Sequence, residues 1–157
     1  MSSPDIVVYT DGSSRGNPGP GGFGIVMQKH GTDYIKEFSE GYRKTTNNRM
    51  ELMAVIVALE KIKQQNQSVH IYTDSKYVSE SVEKKWVDSW EKKGFKNKKN
   101  EDLWIEFLEV FRKHNVKMQW IKGHNQHPQN EYCDKLAVKA SKQTDSLIED
   151  VGYENKE

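Results

Sequence analysis

Several things are scarce in this sequence, and each scarcity excludes something. There is a single cysteine, Cys133, so no disulfide can form within the chain, which suits a reducing compartment. Neither sign of charge dominates: 24 Lys and Arg stand against 23 Asp and Glu. Overall charge therefore does not point to a nucleic-acid partner, and any such signal must lie in how charges are placed. No apolar run is long enough to cross a bilayer, and the opening MSSPDIVV carries no basic segment leading into a signal-like core. A soluble cytoplasmic protein without membrane contact is the expectation. At 157 residues, one domain with a sizeable core is expected.

What is present starts with VVYTDGSSRGNPGPGGFGIV, residues 7–26. The apolar run Ile6 to Tyr9 predicts a strand covered on both faces, at the middle of a sheet. Asp11 closes it. Asp-Gly is a common turn dipeptide, so Asp11 has a plain reading as a turn residue. Against that, Gly12, Gly16, Gly19, Gly21 and Gly22, with Pro18 and Pro20, make a bend where little side chain blocks approach of a ligand. Phe23 to Met27 and Tyr34 to Tyr42 predict two further strands and an antiparallel meander. The period then changes: Met50 to Ile62 is nearly all apolar and predicts a buried helix. Glu51 interrupts it, either in a capping box with Asn48 or as a carboxylate aligned with Val55, Ala58 and Ile62 on the face toward the sheet. A carboxylate on that face is costly unless a cation or several donors compensate it.

Val69 to Thr73 predicts a fourth strand, and Asp74 closes it as Asp11 closes the first: HIYTDSK echoes VVYTDGS. Asp74 could equally N-cap a helix starting at Ser75. A helix between strands three and four implies a crossover that brings the fourth beside the first. Asp11 and Asp74 would then be neighbours, and a divalent cation would relieve their repulsion.

From Lys84 to Lys99 seven lysines stand against Asp88 and Glu91, interleaved with Trp86, Trp90 and Phe95. Basic residues alternating with aromatics suit a phosphate backbone; the plain alternative is a solvated helix with its tryptophans packed inward. Asp102 to Arg112 predicts an amphipathic helix lying on the sheet. Val116, Met118 and Trp120 alternate as a fifth strand, with these three on the apolar side. Pro128 and Asn130 open a last helix with Cys133, Leu136, Ala137 and Ala140 as its buried stripe and Asp134 at the stripe's edge. His124 and His127 have too few neighbouring ligands for zinc. The acidic tail after Asp145 is expected to be disordered.

Taken together, YTDGSSRGNPGPGG, TTNNRMEL, YTDSKYV, KGHNQHPQNEYCD and the closing EDVGY resemble bacterial ribonuclease HI in family order and nearly end to end. The resemblance implies one α/β domain over residues 1–157, with a five-stranded mixed sheet and helices on both faces. It implies endonucleolytic hydrolysis of the RNA strand of RNA/DNA hybrids by a monomer. It also implies that Asp11, Glu51, Asp74 and Asp134 converge on two magnesium ions, with manganese as a substitute. Hard oxygen ligands suit magnesium, and two ions about 4 Å apart clamp the attacking and leaving oxygens, giving 5′-phosphate and 3′-hydroxyl ends. His124 would assist proton transfer or product release. Ser13, Asn17, Asn47, Asn48 and Asn130 would lie near the strands, with Thr46 and Asn17 on a DNA phosphate. Trp86 would touch the DNA sugars, and residues 84–99, including Lys92 and Lys93, would form the family's basic protrusion. Three departures stand out: the segment between Trp90 and Trp104 is short, Lys76 occupies a position of an RNA contact where glutamine is expected, and Gln126 stands where glycine is usual. The rival readings are a metal-dependent DNA nuclease of the same fold and a non-catalytic hybrid-binding module; the NNRME segment argues against the first, the four acids against the second.

Overall fold

The computed structural model describes residues 4–123 and 127–154. The first apolar run forms β1 (Ile6–Ser14), which the glycine bend returns as β2 (Gly19–Lys29), followed by β3 (Ile35–Thr45). These three pair antiparallel. Helix α1 (Asn47–Glu60) then crosses to β4 (Ser68–Thr73), which runs parallel to β1, and β5 (Asn115–Trp120) runs parallel to β4. The sheet is five-stranded and mixed, in the order β3-β2-β1-β4-β5, as expected. The remaining helices are α2 (Lys76–Glu83), α3 (Trp86–Lys92), α4 (Glu101–Phe111), α5 (Pro128–Ser141) and α6 (Val151–Glu154). No helix among the described residues is long and apolar enough to cross a membrane.

Alternation along β1 sends Val8, Thr10 and Gly12 to one face and Tyr9, Asp11 and Ser13 to the other. Helix α1 packs on the first face, where Phe23, Ile25, Leu52, Val55 and Ile71 are fully buried. Helix α5 packs on the second: a Cβ on Gly24, the register partner of Asp11, would lie 2.7 Å from the Leu136 Cβ. Asp11 thus lies inside a strand covered on both sides, not at its end as expected: β1 runs on to Ser14 against β2, although its pairing with β4 stops at Tyr9.

Several local expectations are corrected. The buried helix starts at Asn47, and its N-cap is Thr46, whose Oγ1 accepts from the Arg49 N–H at 3.2 Å. Glu51 is therefore two residues too deep for a capping box with that cap. Ser75, not Asp74, caps α2, accepting from the Val78 N–H at 3.1 Å. Helix α4 packs chiefly on α1, and Ile105 stays 43% exposed. Trp120 does not join the core either.

The tail expected to be disordered instead packs back through residue 154. Ile148 bridges Tyr42, and Asp150, 2% exposed, accepts from Thr45 Oγ1 at 2.7 Å and from Arg49 Nε at 2.8 Å. The buried Arg49 also holds Asp102 through two bonds of 2.9 and 2.8 Å. A guanidinium removed from water needs such carboxylates, and composition cannot reveal a pair so distant in sequence. Residues 155–157 lie outside the described ones.

Candidate active site

Three elements meet just past the point where β1 and β4 stop pairing. Asp11 comes from β1, Asp74 follows the last residue of β4, and Glu51 projects from the second turn of α1. One carboxylate oxygen of each lies within 4.8 Å of the others. Gly12 makes this possible. A Cβ there would lie 2.6 Å from the Glu51 nitrogen, so only glycine lets α1 approach β1 this closely, and the Gly12 amide favours the charged form of the Glu51 carboxylate. Gly12→Ala is expected to push strand and helix apart and lower kcat about tenfold to a hundredfold, since small misplacements cost that much; a steady-state assay with kcat near the parent's would refute this.

The electrostatics follow from burial. Desolvation first, then the charges of Asp74 and Asp134, pushes the Asp11 carboxyl up to about 9. Desolvation, then Asp11 and Asp74, likewise holds Glu51 well above the carboxylate range, with the Gly12 N–H pulling the other way. Asp134 on α5 faces Asp11 closely enough to share a hydrogen bond with it, although it falls outside the tight trio. Glu51 Oε1 and Asp74 Oδ1 are buried without a hydrogen-bond partner. Crowded hard oxygens, two of them orphaned, fit a divalent cation such as magnesium. Cys133, beneath Asp11, is inert by comparison: burial pushes its thiol up to about 12, and its Sγ lies 3.3 Å from the Tyr9 carbonyl.

Around the trio, the glycine bend is tied to the start of α1. Asn47 Oδ1 accepts from the Ser14 N–H at 2.7 Å, and Asn17 Oδ1 accepts from the Asn47 N–H at 2.9 Å. Ser13 lies on β1 beyond Asp11. Asn17, Thr46 and Asn48 line a hollow of about 780 Å³ together with Lys98, Lys99 and Tyr153. Asn130 is buried at the start of α5, with its Nδ2 unpartnered. A second hollow of about 690 Å³, with Lys29, Lys36, Lys61 and Lys63 among its lining, lies at the far ends of β1 and α1. Neither hollow includes Asp11, Glu51 or Asp74, and Asp11 and Glu51 are themselves buried.

The basic segment splits its aromatics. Trp90 stands edge-on against buried Trp104 at 5.7 Å, and Phe95 is buried, its left-handed backbone (φ 58°) folding it under. Trp86 stays 43% exposed beneath Lys84, and all seven lysines, Lys92 and Lys93 included, are exposed. Lys76 is exposed as well, its Nζ 4.9 Å from the Trp120 ring centroid. His124 and Gln126 lie outside the described residues. Sequence reasoning missed Arg49, Asp102 and Asp150, and also Gly123, where a Cβ would lie 2.6 Å from Asp74 Oδ2. Arg49 could have been found as a lone cation in an apolar helix; Asp150 lies in the EDVGY motif, but nothing local points to Arg49 as its partner.

Residues 3–142 match the protein-family model described as RNase H. A curated protein of Desulforamulus reducens called Ribonuclease H is 52% identical over 144 residues, covering 88% of this chain and 89% of that one. One of Trichodesmium erythraeum with the same description is 48% identical over 155 residues, 96% of each chain. Among solved structures, LC9-RNase H1, described as a type 1 RNase H with the type 2 active-site motif, superposes with a TM-score of 0.78 at 35% identity, covering 90% of this chain and 74% of that one.

Proposed function

The chain belongs to the ribonuclease H family, and from that premise we propose that it hydrolyses the RNA strand of RNA/DNA hybrids endonucleolytically, with magnesium, as a cytoplasmic monomer. One observation carries the reading to these residues: three carboxylates from β1, α1 and β4 within 4.8 Å of one another, two of them with buried, unpartnered oxygens. Asp11, Glu51, Asp74 and Asp134 are the ligand set. Two divalent cations held there would supply Lewis-acid stabilisation of charge building on the scissile phosphate, the two-metal chemistry typical of this family.

The chain's own residues do the rest. Without a cation, burial and the neighbouring carboxylates favour the protonated form of Asp11, and a bound cation would favour loss of that proton. Asn17 Oδ1 and Asn47 Oδ1 are engaged within the protein, leaving their amide nitrogens as donors to phosphates or 2′-hydroxyls. Thr46 and Asn17 serve the DNA phosphate, and Ser13 and Asn48 the minor groove, whose 2′-hydroxyls distinguish RNA from DNA; Asn130, expected there too, is buried and has no open path to the duplex. Trp86 meets the DNA sugars, His124 moves a proton or releases product, and Lys92 and Lys93 hold the DNA backbone.

The test is cleavage of an end-labelled RNA/DNA hybrid beside matched RNA and DNA duplexes, with magnesium, manganese or excess chelator. Magnesium-dependent cutting confined to the hybrid's RNA, with 5′-phosphate and 3′-hydroxyl ends, is the expected result. Cutting of DNA would favour the nuclease rival, and tight binding without cutting the non-catalytic module. Because the grip is ionic, affinity should fall steeply with salt. Reversing Lys92 and Lys93 to Glu should flatten the slope of log K against log salt by about two and leave kcat near the parent's at saturating hybrid. A parental slope would remove both lysines from the interface.

A further inference from the structure

Trp120 keeps a large indole 40% exposed at the end of β5 and spends both its polar and its π-face on neighbours of the carboxylate trio. Trp120 is the register partner of Thr73, and the last backbone rung there is the Ile121 N–H to the Thr73 carbonyl at 2.8 Å. The next carbonyl, that of Asp74, lies beyond both strands. The Trp120 indole N–H donates to it at 3.0 Å, so a side chain continues the ladder by one rung. On the other side, the Ser75 N–H donates to Thr73 Oγ1 at 3.0 Å, and Ser75 caps α2. The Asp74 peptide is thus held from both sides while Asp74 Oδ1 stays without a partner.

The same ring carries Lys76. Glu80, one turn further along α2, is engaged by Lys84 at 2.6 Å, and the Lys76 ammonium rests over the indole, 4.9 Å from its centroid. A lysine side chain loses much rotamer freedom on binding; one already laid on an aromatic face loses less.

Building on the hybrid-cleavage reading above, we infer that Trp120 is a positioning residue with two clients: its indole N–H sets the Asp74 carboxylate for the cation, and its ring face holds Lys76 ready for a phosphate of the RNA strand. Outer contacts of this kind orient a ligand without touching the ion, and their loss typically shows first as weaker cation binding.

The experiment uses the full chain and the variants W120F, W120L, K76Q and the double variant W120L/K76Q. Calorimetric titration with manganese, without nucleic acid, reads the Asp74 arm. Hybrid affinity as a function of salt, with calcium replacing magnesium, reads the Lys76 arm. W120F keeps a ring but loses the donor, so it should weaken manganese binding about tenfold and leave the salt slope parental. K76Q should do the reverse: parental manganese binding, hybrid affinity lowered about two- to fivefold, and a salt slope reduced by about one. W120L should show both effects, and adding K76Q to it should lower hybrid affinity no further. Parental manganese affinity in W120F overturns the first role, and additive losses in the double variant overturn the second. Should the parent cut no hybrid at all, the functional reading falls, while the manganese titration still decides the Asp74 role. W120F, a conservative change at an exposed site, remains decisive if W120L folds poorly.

Discussion

Asp11→Asn is expected to lower the turnover of an RNA/DNA hybrid by at least about 10³-fold, the scale seen when one member of a tightly cooperating site is removed. Hybrid affinity measured with calcium should stay within about threefold of the parent, because on the proposed reading the amides and lysines that grip the duplex lie outside the trio. Turnover within tenfold of the parent would remove Asp11 from the reaction. The substitution also has a consequence for stability. The Asp11 carboxyl is raised from an ordinary 3.8 to about 9 in the fold. Between those limits the folded protein binds a proton that the unfolded chain has released, so stability of the cation-free protein falls as pH rises from about 4 to about 9. The amide in the variant carries no charge to bury and removes most of that slope. Thermal unfolding at pH 5 and pH 9, without divalent ions, should show a clear drop in Tm for the parent and a smaller one for the variant, leaving Glu51 to supply the remainder. An equally steep drop in the variant would assign the slope elsewhere.

Asp150→Ala should be the most destabilising change away from the carboxylates, at about 3–5 kcal/mol, because it strands the Arg49 guanidinium in the interior with the half-exposed Asp102 alone. In a domain of this size that corresponds to a fall in Tm of about 6–20 °C. It should also loosen the first turn of α1, since Asp150 holds both Thr45 and Arg49 around the Thr46 cap. Breaking the exposed Lys84–Glu80 pair, by contrast, should leave the transition where it is. Urea unfolding of both variants decides the matter; an Asp150→Ala midpoint equal to the parent's would mean that water replaces the carboxylate beside Arg49.

The Arg49–Asp150 pair shows where reading the sequence stops. Its members are 101 residues apart, and an acidic tail with little apolar periodicity looks the same whether it is solvated or clamped. The aromatics teach the same lesson at shorter range. Trp86 and Trp90 both sit among lysines, yet Trp90 packs edge-on against Trp104 and Trp86 stays outside. Trp120 continues the apolar alternation of β5 but stays outside the core at the strand's end, so its indole is free to serve Asp74 and Lys76.

What the sequence determined by itself was local and periodic: a buried strand carrying Asp11, a second followed directly by Asp74, and a buried helix interrupted by Glu51. Burial of one face forces a period of two in strands and 3.6 in helices, and a carboxylate that breaks such a pattern is costly enough to be noticed. The family motifs added the remaining residues and their roles. What only the tertiary structure decided was convergence: that Gly12 lets α1 slide against β1, that the trio closes to within 4.8 Å, and that the tail returns to neutralise Arg49. Those contacts join segments far apart in the chain, and no local pattern records a distance through space.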